Sequence, residues 1–261
     1  MEIRNKVVLI TGASEGIGAA CANAFRARGA LLSLTARSEA KLRQAGGPEA
    51  LITAGDLTDP AVRRSVVKRT MERHGRIDIL VNNAGVGVYQ AAHTADPEKA
   101  RQMFELNFFA PLDMIQLVVP QMKQRQSGAI VNVGSIGGKV TLPWFTLYSA
   151  SKFAIGSLTD GLRMELKRFG IHCMTVCPGY VKTSFQQNVL AGDPPQLTGL
   201  RQKWAITPEQ CAEALLRGVE REARTVVTPA TGWLLVAASR LFPSVVEGRL
   251  ADINEKQERA S

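Results

Sequence analysis

The chain has 261 residues, a length that suits one large α/β domain. Apolar residues make up 45% and charged residues 21%, which excludes a disordered or fibrous protein. Lys and Arg outnumber Asp and Glu by 32 to 23, but the basic residues are dispersed and not interleaved with aromatic residues, so we expect no nucleic-acid partner.

The N-terminal sequence and the cysteines bear on the compartment. The first apolar segment, residues 7–10, is too short for the core of a signal peptide, so we expect a cytoplasmic protein. The cysteines form no CxxC pair and lie near no histidine cluster, which argues against a metal site or a redox motif. Core packing is predicted for all of them: Cys21, Cys173, Cys177 and Cys211.

Residues 6–11 form a continuous apolar run, typical of a strand buried in a parallel sheet. A glycine-rich sequence with the spacing G-x-x-x-G-x-G follows, and then a helical stretch from Ala19. This order is typical of a dinucleotide site, where the backbone approaches the pyrophosphate at a helix N-terminus. Without further motifs, a glycine-rich turn is only a weak indication of a dinucleotide site. Its residues are Gly12, Ala13, Ser14, Glu15, Gly16, Ile17 and Gly18.

Six further strand-like runs alternate with helical segments, three of which open with Asp-Pro or Thr-Pro as cap and first-turn proline. The alternation predicts an α/β single-domain Rossmann fold. Its doubly wound sheet has seven parallel strands with helices on both faces, and ligand sites are expected at the C-terminal strand ends. The further strands are predicted at 31–35, 51–53, 77–81, 129–133, 172–176 and 225–227, and helices at 59–73, 97–126, 147–169 and 207–222.

Two segments do not fit this alternation. Residues 180–206 contain a Gly-Asp-Pro-Pro sequence and are predicted to form a mobile, substrate-covering flap. The C-terminal extension, residues 229–261, has an apolar stretch that Arg240 and Pro243 interrupt, so it is not expected to span a bilayer. The extension could cover the pocket, contact another subunit or lie at a membrane surface, and the first two are favoured.

Tyr148 and Lys152 are four residues apart, so on a helix they share one face. At ~6 Å and an effective dielectric of about 20, Coulomb's law gives roughly 3 kcal/mol of attraction, or about two pKa units in favour of the phenolate. The pair could therefore exchange protons near neutral pH. For the pair alone, a surface helix that carries both residues by chance is the simpler explanation.

Five blocks agree in order and spacing with one known family. They are residues 11–18, Asn82-Asn83-Ala84-Gly85, Asn107, Ser135 with Tyr148-Ser149-Ala150-Ser151-Lys152, and Pro178-Gly179. On these blocks the chain resembles the short-chain dehydrogenase/reductase family over nearly its whole length. The segment from Gly137 to Tyr148 looks like the branch that includes NADP-dependent hydroxysteroid and retinal-type carbonyl reductases. The resemblance displaces the surface-helix explanation.

The resemblance implies hydride transfer between a nicotinamide cofactor and a carbonyl or secondary alcohol. Tyr148 would be the general acid or base, and Ser135 would hydrogen-bond the substrate oxygen. Lys152 would bind the nicotinamide ribose and lower the pKa of the tyrosine, and Asn107, in a helix that the family kinks, would hold a water in a proton relay. Ser135 and Asn107 also have structural explanations, as a loop cap and as a partner for buried backbone groups.

The resemblance also points to NADP(H), with NAD(H) as the alternative. NAD-preferring members carry an acidic residue after the second strand, where this chain has Arg37 and Ser38, which can bind a ribose 2′-phosphate. Glu15 departs from the pattern, because many NADP-dependent relatives have Arg or Lys there; its carboxylate would repel the phosphate or point to solvent. The other cofactor-binding residues implied by position are Asp56, Leu57, Asn83, Ala84, Gly85, Pro178, Gly179, Val181 and Thr183.

Apolar residues flank the presumed site and predict a hydrophobic ketone or alcohol rather than a sugar, although core packing is the commoner role for any one of them. By resemblance we expect a homodimer or homotetramer, formed through the helix that bears Tyr148. The alternatives are a non-catalytic nucleotide-sensing protein, which commonly lacks the tyrosine or lysine, and a membrane-surface lipid carbonyl reductase. The flanking residues are Val88, Tyr89, Gly137, Trp144, Phe145, Tyr180 and Phe185.

Overall fold

The computed structural model describes residues 1–193 and 205–258. Seven parallel strands form one sheet in the order β3-β2-β1-β4-β5-β6-β7, so the predicted single-domain Rossmann fold is confirmed. The strands are β1 (Val7–Thr11), β2 (Leu31–Ala36), β3 (Leu51–Ala54), β4 (Ile79–Asn82), β5 (Gly128–Val133), β6 (Ile171–Pro178) and β7 (Thr225–Thr228).

Helices cover both faces of the sheet, and the alternation of strand side chains divides the core between them. Val8 and Ile10 of β1 pack into one core cluster and Leu9 into the other. Helices α1, α2 and α7 contribute to the first cluster, and α3, α5 and α6 to the second. The helices are α1 (Gly16–Ala27), α2 (Glu39–Gly46), α3 (Pro60–His74), α4 (Pro97–Phe104), α5 (Ala110–Arg125), α6 (Thr146–Leu166), α7 (Pro208–Glu220), α8 (Gly232–Leu241) and α9 (Pro243–Glu258).

The strand order changes direction between β1 and β4. From β1 the chain moves outwards to β2 and β3, and then returns to place β4 on the other side of β1. Val8 is therefore in register with Leu32 on one side and Ile79 on the other. In open parallel sheets a crevice forms at the carboxyl ends of the strands at such a point.

The structure differs from the prediction in two helical segments. Helix α2 was not predicted, because its eight residues are mostly charged or small and carry little helical periodicity. The helix predicted over 97–126 is instead α4 and α5 joined by a π-helix, Glu105–Phe109. This irregular turn lies where the resemblance implied a kink.

The four cysteines are buried and free, which confirms their predicted place in the core. The C-terminal extension begins with α8 and α9, and within residues 1–193 and 205–258 no helix is long and apolar enough to cross a membrane. In the predicted flap, Ser184–Asn188 form a short 3₁₀ helix, and residues 194–204 lie outside the described residues.

Candidate active site

A cleft of about 1680 Å³ opens at the C-terminal edge of the sheet. Its lining includes the residue that follows each of four neighbouring strands: Gly12, Asn83, Gly134 and Gly179. The structure thus brings together residues from distant parts of the sequence at the predicted edge. The sequence-predicted residues that line the cleft are Gly12, Ser14, Glu15, Gly16, Ile17, Arg37, Ser38, Asp56, Leu57, Asn83, Ala84, Gly85, Ser135, Tyr148, Lys152, Pro178, Gly179, Val181 and Thr183.

Some predicted residues lie behind the cleft wall. Gly18 and Asn107 are absent from the described lining, although both contact residues that form it. Among the proposed pocket residues, Val88, Gly137 and Trp144 are also absent from it, which corrects their assignment. Val88 is buried and packs into a core cluster with Met103 and Tyr148.

The glycine turn after β1 needs its glycines. Gly12 and Gly16 have φ angles of +64° and +56°, in the left-handed region that side chains disfavour. A Cβ atom on Gly18 would lie 2.2 Å from the Gly12 carbonyl oxygen, so only glycine lets α1 pack this close to the turn. Glu15 makes no side-chain cap to α1, so the first N–H groups of the helix can bind a phosphate. The turn therefore fits a dinucleotide.

The loop after β4 is fixed to the end of β1. The Asn83 amide donates to the carbonyl oxygens of Thr11 and Gly12, both at 3.0 Å. The Thr11 hydroxyl in turn accepts from the backbone N–H groups of Asn83 and Ala84, at 3.0 and 3.1 Å. The Asn-Asn-Ala-Gly segment therefore supports the start of the glycine turn. The contribution of Thr11 was missed, because its partners are some 70 residues away.

Tyr148 and Lys152 lie on the buried face of α6, as the spacing predicted. The Lys152 Nζ atom is 5.6 Å from the centre of the Tyr148 ring and donates to the Val133 carbonyl oxygen at 2.9 Å. The Ser135 hydroxyl comes from the loop after β5, hydrogen-bonds the phenol of Tyr148, and also accepts from the Gly137 N–H at 3.0 Å. The end of β5 and helix α6 therefore position the three groups.

Asn107 is buried in the π-helix, and its carboxamide binds the backbone of the loop after β4. Its Oδ1 atom accepts from the Val86 N–H, and its Nδ2 atom donates to the Val86 carbonyl oxygen, both at 2.9 Å. Nδ2 also donates to the Ser151 hydroxyl at 3.1 Å, and that hydroxyl donates to the Tyr148 carbonyl oxygen at 2.7 Å. Asn107 therefore links the π-helix, the loop and α6 behind the site.

Burial outweighs the lowering of the Tyr148 pKa that was predicted from its spacing to Lys152. Burial disfavours the phenolate and raises the pKa of Tyr148 to about 12, although the hydrogen bond with Ser135 opposes the rise. Burial likewise disfavours the ammonium and lowers the pKa of Lys152 to about 8. The Coulomb estimate included the attraction between the two groups but not their removal from water, and the second effect is larger.

Aromatic side chains form one wall of the cleft beside Tyr148. The Phe145 ring stacks on the Tyr148 ring with their centroids 4.3 Å apart, and the Phe185 ring centroid lies 5.6 Å from that of Tyr148. Tyr89 contacts Phe145 at 5.7 Å between centroids. These contacts hold the phenol in one orientation. They also give the cleft an apolar wall at this end.

The Glu15 carboxylate is hydrogen-bonded by three neighbouring side chains, which the sequence did not predict. Its carboxylate accepts from the Lys41 ammonium at 2.8 Å and from the side chains of Ser184 and Asn188 at 2.8 and 3.0 Å. These hydrogen bonds, the one from Lys41 above all, lower the pKa of Glu15. Lys41 was missed in the sequence because the helix that carries it was not predicted.

The family model described as short chain dehydrogenase matches residues 6–193, more than half of the chain. The chain belongs to the short-chain dehydrogenase family. It is therefore an oxidoreductase that depends on a nicotinamide cofactor, as the glycine turn and the cleft indicated.

Similar proteins come from animals and bacteria. A relative from Danio rerio, dehydrogenase/reductase SDR family member 7B, is 33% identical over 245 residues, which span 88% of this chain and 79% of the relative. A short-chain dehydrogenase structure from Streptomyces avermitilis has a TM-score of 0.82 at 29% identity, with all of both chains covered. One from Burkholderia cenocepacia, in complex with NADP, has a TM-score of 0.82 at 30% identity, covering 96% of this chain and 99% of that one.

Proposed function

We propose that this short-chain dehydrogenase transfers a hydride between NADP(H) and the carbonyl or secondary alcohol group of an apolar substrate. The observation that carries the proposal is the phenol of Tyr148, which lines the cleft between Ser135 and Lys152. A non-catalytic nucleotide sensor would not need these three groups on one wall. The bound nicotinamide would supply or accept the hydride at the substrate carbon.

The proton is the part of the reaction assigned to the protein. Tyr148 stays protonated at neutral pH, because burial raises its pKa to about 12. In the reductive direction its hydroxyl would donate a hydrogen bond, and then its proton, to the carbonyl oxygen. Ser135 would donate a second hydrogen bond to the same oxygen and stabilise the negative charge that develops there.

Lys152 and Asn107 would support this proton transfer. The Lys152 ammonium would bind the ribose hydroxyls next to the nicotinamide and favour the phenolate once the proton has left. Asn107 would act from behind the wall, in the π-helix, by holding a water in a relay to solvent and by fixing the loop at Val86. Gly85 would make room for both groups, since a Cβ atom there would lie 3.4 Å from Lys152 Nζ and 3.1 Å from Asn107 Oδ1.

The substrate class follows from the wall around the phenol. Apolar side chains from the loop before α6, from the flap and from α8 line the cleft, and two of them contact the Tyr148 ring, a composition that favours a ketone or alcohol on a hydrophobic body. They are Leu142, Phe145, Phe185, Leu234 and Leu235. The direct test is NADPH oxidation with a panel of steroid, retinoid, quinone and fatty carbonyl compounds. Activity confined to sugars would contradict the assignment.

The two irregular segments would complete this pocket. Residues 180–206 would act as the covering flap, and the extension from 229 would form its outer border, with Leu235 and Leu250 on the cleft side. We keep a cytoplasmic enzyme as the expectation. A membrane-surface form, in which the extension lies on lipid, is the less favoured alternative and would co-sediment with liposomes only while residues after Thr228 are present.

Arg37→Asp is expected to weaken NADPH binding at least tenfold more than NADH binding. Among the described residues Arg37 makes no ion pair, so its guanidinium can bind a 2′-phosphate, whereas an aspartate would repel the phosphate and accept hydrogen bonds from a free ribose diol. Quenching or enhancement of cofactor fluorescence gives both dissociation constants. Equal losses for the two cofactors would remove the reason for choosing NADP(H).

We also expect a homodimer or homotetramer that associates through α6. Phe153 and Met164 on α6 are 43% and 76% exposed, and Phe109 in the neighbouring π-helix is 51% exposed, an apolar surface that a second subunit would cover. Met164→Asp should shift the mass measured by light scattering towards the monomer, whereas Leu241→Asp on α8 should not. A concentration-independent monomer mass for the wild type would contradict this expectation.

A further inference from the structure

Lys41 extends from the first turn of α2 to the glycine turn. Its Nζ atom donates to the Glu15 Oε2 atom at 2.8 Å, so an ammonium from helix α2 lies beside the turn that precedes α1. Lys41, Glu15, Arg37 and Ser38 all line the same cleft. The cation therefore lies in the cleft and does not belong to an unrelated surface ion pair.

Lys41 also removes a net negative charge from this end of the cleft. The charged side chains there are Arg37, Lys41, Glu15 and Asp56. Without Lys41, one guanidinium would face two carboxylates, an arrangement that repels a phosphate dianion. With Lys41, the two cations balance the two carboxylates, and Arg37, which has no ion-pair partner within residues 1–193 and 205–258, can bind an anion.

The hydrogen bonds of Glu15 allow Lys41 to take a second partner. Its Oε1 atom accepts from Ser184 and Asn188, and only Oε2 accepts from Lys41. An ammonium has three donors, so Lys41 can bind Glu15 and an incoming phosphate oxygen together. If Lys41 turns towards the phosphate, the carboxylate stays hydrogen-bonded to the flap residues.

We propose that Lys41 is a specificity-determining residue for the 2′-phosphate of NADP(H), acting by neutralising Glu15 and by contacting the phosphate. The proposal rests on the NADP(H) preference proposed above and adds a residue to it. A charge-neutralising Lys41 explains how the 2′-phosphate of NADP(H) could bind beside a glycine turn that contains Glu15. The ammonium that other chains would carry in the turn comes here from α2.

The test uses two nucleotides that take no part in hydride transfer, adenosine 2′,5′-bisphosphate and adenosine 5′-monophosphate. By titration calorimetry, Lys41→Met should weaken the bisphosphate about tenfold at low salt and the monophosphate less than twofold. The difference should shrink in 0.5 M salt, because exposed charges are then screened within about 4 Å. Arg43→Met is the matched control: Arg43 lies on the same helix, pairs with Glu39, and should change neither affinity.

A second variant separates charge compensation from an effect on folding. Glu15→Gln removes the carboxylate charge but keeps an oxygen for Ser184 and Asn188, so adding it to Lys41→Met should restore the part of the bisphosphate affinity that was lost to repulsion by Glu15. No restoration would overturn the compensation by Lys41. Unchanged bisphosphate binding in Lys41→Met, with a loss in Arg37→Asp, would overturn the role of Lys41 and leave the NADP(H) preference standing. Equal binding of the two nucleotides by the wild type would overturn both.

Discussion

Tyr148→Phe is expected to lower turnover by about three orders of magnitude, because a positioned general acid typically contributes 10²–10⁴-fold. The substitution removes one hydroxyl and keeps the ring that stacks on Phe145 and contacts Phe185, so the wall of the cleft should remain in place. NADPH binding should change little, since the phenol is one of many groups along the cleft. Steady-state turnover on an accepted carbonyl substrate, with cofactor fluorescence on the same preparation, measures both quantities.

The matched control removes another tyrosine hydroxyl from the same cleft. The Tyr180 hydroxyl donates to Gln186 at 3.0 Å within the flap segment, so Tyr180→Phe should alter KM by a few-fold and leave kcat within a factor of about three. A loss of kcat in Tyr180→Phe as large as that in Tyr148→Phe would mean that the cleft needs polar hydroxyls in general. Wild-type turnover in Tyr148→Phe would contradict the proposed acid.

If Tyr148 is the acid of the proposed reaction, its burial determines which direction of the reaction it favours. With its pKa raised to about 12, the phenol is a proton donor at every physiological pH, which suits reduction. Oxidation needs the phenolate, which is disfavoured in the buried site until a cation lies near it. Lys152 is the nearest candidate, but the lowering of its own pKa to about 8 means that part of it is neutral in weakly alkaline solution.

The fold was largely predictable because it depends on the periodicity of apolar residues and on the order of strands and helices along the chain. Buried strands such as β1 read as unbroken apolar runs, and their alternation with helices restricts the topology. The cofactor turn was predictable for the same reason, since Gly12, Gly16 and Gly18 follow a strand and precede a helix. These features are local in the sequence.

The contacts within the site were less predictable because they join distant segments. Glu15 and Lys41 are 26 residues apart, and Lys41 lies on a helix of mostly charged residues that carries no clear periodicity. The pKa of Tyr148 depends on how completely the surrounding chain excludes water, which the spacing to Lys152 does not contain. Pairwise spacing therefore identified the groups, and three-dimensional burial determined their protonation.

Lys152→Met is expected to lower turnover by at least about 100-fold and to change how stability depends on pH. Met fills the buried space but carries no charge and cannot donate to the Val133 carbonyl oxygen, which accepts from Lys152 at 2.9 Å. Burial lowers the native pKa of Lys152 to about 8, below its ordinary value of 10.5. Between these values the unfolded chain binds more protons than the native protein, so this lysine makes the free energy of unfolding rise with pH.

The difference in unfolding free energy between wild type and Lys152→Met isolates that contribution. The buried cysteines and Tyr148 have raised pKa values, so they make both proteins less stable as pH rises. These contributions cancel in the difference except at Cys177, whose pKa the Lys152 charge lowers in the wild type. Urea unfolding at pH 7.5, 8.5 and 9.5 measures this difference. Above pH 8 the unfolding free energy of the wild type, relative to that of the variant, should rise by up to about 1.4 kcal/mol per pH unit. Lys68→Met, at an exposed lysine of α3, is the control: the difference in unfolding free energy between it and the wild type should not change with pH. If the difference between the wild type and Lys152→Met did not change with pH, the Lys152 ammonium would be as well solvated in the native protein as in the unfolded chain. A buried Lys152 charge could then not be what favours the phenolate.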